Sequence, residues 1–76
     1  MRVILLDETG IKIITSTKKQ MYLTLNEVQM FIREEYTIDK DNVLHLNGHT
    51  LPLSEKDIEG FQNTYEYIRS HFEDTK

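Results

Sequence analysis

The chain has no cysteine among its 76 residues. That excludes disulfides, a thiolate nucleophile and any zinc-thiolate centre, and it leaves packing or self-association to supply stability. It also fits a reducing, cytoplasmic setting. Glycine is scarce, with three residues placed in two turns and one helix, so no glycine-rich loop is available to cradle a nucleotide. The single proline, Pro52, cannot donate to a ladder and belongs at a sheet edge or strand end. Long apolar runs are missing as well. Val3 to Leu6 is the longest, far too short to span a bilayer, and it follows Met1-Arg2 without the apolar region and cleavage site of a signal peptide. Together these absences predict one small cytoplasmic domain over residues 1–76, with a thin core.

Catalytic patterns are equally thin. No G-x-S-x-G elbow or H-E-x-x-H motif occurs, and the hydroxyls have structural uses, Thr24 and Ser54 as helix caps and Thr9 in a turn. His45 and His49 stand four residues apart, the spacing that aligns two metal ligands on a helix. Here the spacing straddles Asn47-Gly48. A two-residue turn there sets Leu46 opposite His49 and His45 opposite Thr50, so alternation sends the two imidazoles to opposite faces. No metal, no cofactor and no enzymatic activity are expected.

What is present is an α+β pattern. Val3 to Leu6 and Ile11 to Thr15 are β-rich runs joined by Asp7-Glu8-Thr9-Gly10, a hairpin connection with glycine at its fourth position. Val43 to Leu46 and His49 to Leu53 flank Asn47-Gly48 and form a second hairpin. A third strand within Lys18 to Leu23 is allowed by weak alternation, and Thr37 to Asn42 reads as a polar connection. Thr24 with Glu27, and Ser54 with Asp57, have the spacing of capping boxes that open two helices. The first places Leu25, Val28, Phe31, Ile32 and Tyr36 on a buried stripe and should end near Tyr36. The second does the same with Ile58, Phe61, Tyr65, Ile68 and Phe72. Gly60 interrupts that seam and implies a close backbone contact or a bend. The expected architecture is two β-hairpins and two helices in the order ββαββα, with an extra strand before the first helix allowed. The two helix openings repeat at an offset of 30 residues, Leu23, Thr24, Glu27, Val28 and Phe31 matching Leu53, Ser54, Asp57, Ile58 and Phe61.

Charge is unevenly spread. Through Leu23 the chain carries Arg2, Lys12, Lys18 and Lys19 against Asp7 and Glu8, a net of +2, and the remainder carries −6 of the total −4. Acids crowd the wrong helix ends. The first helix runs into Glu34-Glu35 and the second into Glu73-Asp74, against the usual preference of the helix dipole. Glu59, Glu66 and Glu73 recur every seven residues, about 10.5 Å apart by helical rise. These six acids form the candidate partner-binding surface. The expected function is a small non-enzymatic binding or inhibitor protein that engages a basic protein partner and imitates nucleic-acid phosphate charge. The scale suits a bacterial or phage regulator. Pairing of these acids with Lys12, Lys18 or Lys19 across the fold, and simple solvated charge, are the rival explanations of the pattern. The alternative functions are a weak nucleic-acid-binding module using the Lys12, Lys18 and Lys19 ribbon, and a structural subunit of a larger assembly. Ile4 and Leu6 share the face of the first hairpin opposite Val3 and Leu5, so apolar side chains on both faces predict a homodimer through Ile4 and Leu6.

Overall fold

Apolar side chains at alternate positions build two antiparallel meanders, each followed by a helix. The computed structural model describes residues 1–6 and 9–73. Strands β1 (Arg2–Leu5), β2 (Ile11–Ile14) and β3 (Gln20–Leu23) form one sheet in that order and lead into α1 (Leu25–Ile32). Strands β4 (Thr37–Ile38), β5 (Val43–Leu46) and β6 (His49–Pro52) form a second and lead into α2 (Glu55–Glu73). The class is α+β, and each hairpin-helix unit has gained one strand. The strand allowed before the first helix is β3. It starts at Gln20 because Ser16 to Lys18 make a three-residue loop, with Lys18 in the left-handed region at φ 70°. The supposed polar connection holds β4, where Thr37 pairs with His45 and Ile38 with Leu44. Ile38 packs on the core, a pull the polar neighbours hid. Of the first turn, Asp7 and Glu8 lie outside the described residues.

Register fixes what faces inward. In the first sheet Val3 pairs with Ile13 and Leu5 with Ile11, while Ile11 pairs with Leu23 and Ile13 with Met21. In the second, Leu44 pairs with Leu51. These side chains share one core with Val28, Phe31, Phe61, Tyr65 and Ile68. Both helices therefore cover the same side of the two sheets. Tyr65 anchors them, its hydroxyl donating to the Ile32 carbonyl oxygen at 2.6 Å. Pro52 stands at the end of an edge strand, where no ladder donor is required of it.

Helix α1 stops at Ile32, four residues short of Tyr36. The amide of Glu34 donates to the Phe31 carbonyl and that of Glu35 to the Met30 carbonyl, with Glu34 at φ 63°. This is the Schellman closure, here with glutamate where glycine is usual. Tyr36 then leaves the helix yet still stacks on Phe31 at a centroid distance of 5.1 Å and meets Phe61 at 5.5 Å. Leu25, placed on the buried stripe by its spacing, is 41% exposed at the first helical position. Glu27 is buried in its stead.

Both capping boxes form, and each is completed by the opposite half of the chain. Glu27 accepts from the Thr24 amide at 3.0 Å, and also from Asn47 Nδ2 and His49 Nε2, both at 2.8 Å, at the β5–β6 turn. Asp57 accepts from the Ser54 amide at 3.0 Å, and also from the amide and hydroxyl of Ser16 in the β2–β3 turn at 3.0 and 3.2 Å. The Met1 ammonium lies 3.6 Å from Asp57. Strands β3 and β6 touch but belong to separate ladders. The 30-residue offset in sequence is thus matched by an exchange of caps in space.

Gly60 makes no close contact, since a Cβ built there meets nothing within 4 Å. Gly60→Ala is therefore expected to raise stability by about 0.5 to 1 kcal/mol through helix propensity alone, read as a higher urea midpoint at unchanged slope. A lower midpoint would mean that the helix needs its glycine.

Candidate functional site

The acids singled out by pattern divide into two groups. Glu34 and Glu35 lie just past the closure of α1, beyond the helix itself. With Tyr36, His45, Asn47 and His49 they line an open cleft of about 490 Å³. Burial first, and then the charge of Glu34, pushes the Tyr36 phenol up. Glu35 is already paired, accepting from Arg33 Nε at 2.8 Å, so the dipole clash expected there is partly offset by a local cation. Glu59 and Glu66 are exposed on α2, where Glu66 accepts from Gln62 at 3.0 Å. Glu55 falls on the same helical face one turn before Glu59, an acid that the seven-residue spacing passed over. Glu73 is the last residue of α2, and Asp74 lies outside the described residues.

None of Glu34, Glu59 and Glu66 has an ion-pair partner among the described residues. Neither do Lys12, Lys18 and Lys19. The ion pairs formed there join Asp57 to the N-terminus and Glu35 to Arg33, while Asp39 and Glu27 are hydrogen-bonded to His45 and His49. Pairing of the helix acids with the sheet lysines across the fold therefore does not occur among these residues.

The β5–β6 register places the histidines as alternation requires, with His45 opposite Thr50 and Leu46 opposite His49. His45 Nε2 lies 2.9 Å from Asp39 Oδ2. His49 Nε2 lies 2.8 Å from Glu27 Oε2, so the two rings serve different carboxylates. The His45 hydrogen bond, followed by the Val43 amide, holds Asp39 below the usual carboxylate range. Among the described residues no group of three or more acids, histidines or cysteines is arranged to hold a metal ion. No helix among them is long and apolar enough to cross a membrane.

The outer face of the first sheet is a second surface of opposite sign. Its ladder rows are Arg2, Ile14 and Gln20, and Ile4, Lys12 and Tyr22. Ile4, Leu6 and Ile14 are half-buried and stand apart from the core cluster. Ile4 and Leu6 do share this face, as alternation implied, but the register sets Lys12 beside Ile4. Ile14 shares this face with Lys12 by alternation along β2, whereas Tyr22 comes alongside Lys12 only through the β2–β3 pairing. Comparison of the chain with known protein families, curated proteins and solved structures gives no match.

Proposed function

We propose that this protein is a small, non-enzymatic, cytoplasmic binding protein. Its acidic helix surface engages a positively charged macromolecular partner, presenting carboxylates where a nucleic-acid-binding protein would meet phosphates. The observation that carries this reading is the set of exposed carboxylates, Glu34, Glu59 and Glu66, none of which forms an ion pair among the described residues. Unscreened charge of one sign steers an oppositely charged partner and raises its rate of encounter. Glu34 adds a second argument. A non-glycine residue in the left-handed region costs roughly 1 kcal/mol or more, and glutamate there also places a negative charge at the negative end of α1. A local cost kept without internal compensation is what a binding residue would show.

The test is a triple variant, Glu34→Gly with Glu59→Gln and Glu66→Gln. Its probe is a fluorescent 20-residue lysine- and arginine-rich peptide in low salt. The wild type should bind, and the variant should bind about tenfold more weakly if each carboxylate contributes about 0.5 kcal/mol. The melting temperature should hold or rise, because glycine relieves the left-handed position. Equal affinity in the two proteins would sink the reading, and a collapse of the fold would assign these carboxylates a structural role instead.

A further inference from the structure

We propose that the outer face of the first sheet binds single-stranded nucleic acid, independently of the acidic surface. Its six outward positions are Arg2, Ile4, Lys12, Ile14, Gln20 and Tyr22. They include two cations and no carboxylate, in a chain whose net charge is −4. Lys18 and Lys19, both exposed and without an ion pair among the described residues, bound the face at the β2–β3 turn. Charge of this sign on an open surface calls for an anionic occupant.

An exposed aromatic ring among the cations favours a nucleic acid over an acidic protein. Tyr22 is 52% exposed and directly opposite Lys12 across the ladder, which puts a base-stacking surface and a phosphate-binding cation about 5 Å apart at Cβ. Arg2 sits diagonally from Lys12, about 7 to 8 Å away by strand geometry. On its far side Arg2 lines a cleft of about 350 Å³ with Asn63 and Tyr67, and Tyr67 is likewise 52% exposed. Tyr22, Lys12 and Arg2 thus set a ring beside two cations on the outer face, and Tyr67 lies beyond the β1 edge on α2. An unpaired strand offers both partners at once, because every base has a face to stack and every linkage a phosphate to neutralise. Duplex DNA keeps its bases out of reach of such a face.

A second copy of the chain is the rival occupant, through Ile4, Leu6 and Ile14. Across a two-fold axis it would bring the Arg2 and Lys12 of both copies into one interface, where like charges repel.

The experiment is fluorescence anisotropy with labelled 20-nucleotide oligo-dT and oligo-U, run from 50 to 200 mM salt beside a duplex of equal length. Three or four neutralised phosphates predict a 20- to 50-fold loss of affinity for the single strand over that range. Tyr22→Ala should weaken binding about fivefold or more. Lys12→Gln should weaken it and flatten the salt dependence by about 0.7 in the logarithmic slope. Both positions face away from the core, and circular dichroism of each variant verifies the fold. Glu59→Gln with Glu66→Gln should leave single-strand affinity unchanged or slightly tighter, which separates this face from the acidic one. The proposal fails if neither oligonucleotide binds at 50 mM salt, or if binding survives Tyr22→Ala and Lys12→Gln. It also fails if no oligonucleotide binds while sedimentation equilibrium gives a doubled mass that Ile4→Glu returns to 9.1 kDa, which would assign the face to a second copy.

Discussion

Glu27→Ala is expected to destabilise the protein by roughly 2 to 4 kcal/mol, the sum of a lost helix cap and lost hydrogen bonds to a charged acceptor. The side chain is 10% exposed and accepts from the Thr24 amide, Asn47 and His49, so its removal strands donors from both halves of the chain. The same carboxylate gives the fold an acid dependence. The Thr24 amide above all, against the opposing effect of burial and with help from Asn47 and His49, holds its pKa down to about 2 instead of 4.5. A folded pKa below the unfolded one means that the stabilisation is complete above about pH 5 and fades as pH falls toward 2. It amounts to about 2 to 3 kcal/mol after allowance for solvent screening. Asp57 acts in the same direction. Burial pushes it up, but the amides and hydroxyls of Ser54 and Ser16 outweigh that and leave it below the usual range. Urea titrations of wild type and Glu27→Gln from pH 7 to pH 2 isolate the contribution of Glu27. Glutamine keeps the shape and one acceptor, so the gap between the two proteins should be widest at neutral pH and close in acid. A gap that stays constant with pH would show that the Glu27 charge contributes nothing.

Gly10→Ala is expected to cost at least about 3 kcal/mol, a large part of the stability of a domain this size. Gly10 lies at φ 128°, where side chains are strained whatever the space, and a Cβ there would sit 1.9 Å from the Leu23 carbonyl oxygen. That oxygen belongs to the β2–β3 ladder next to the α1 cap, so relief requires moving backbone. Thermal unfolding of the variant should begin well below that of wild type. A melting temperature within a few degrees of wild type would mean that the β1–β2 turn re-forms without the glycine. The contrast with Gly60 is instructive, because the same substitution is expected to stabilise one site and disrupt the other.

Much of the fold is local and therefore legible from sequence. Both capping boxes, the Asn47-Gly48 turn with φ of 48° and 85°, and the opposite faces of His45 and His49 follow from spacing and alternation. The departures have long-range causes. Strand β4 exists because β5 offers a free edge and the core accepts Ile38. Tyr36 is half-buried outside any helix because Phe31 and Phe61 receive its ring. The seven-residue acidic spacing was visible in α2, yet whether lysines from the sheet met those acids depended on where the sheet lay.

The sequence by itself determined the α+β class, the two helix starts, the register of the second hairpin and the separation of positive from negative charge along the chain, since each rests on neighbours within a few residues. Only the tertiary structure decided that both helices cover one side of the sheets, leaving Ile4, Lys12 and Tyr22 on an open face. It alone decided that Glu27 and Asp57 each bind a turn from the opposite half. These are contacts between residues 20 to 41 positions apart, and no periodicity in a single chain encodes which distant donor a buried carboxylate will find.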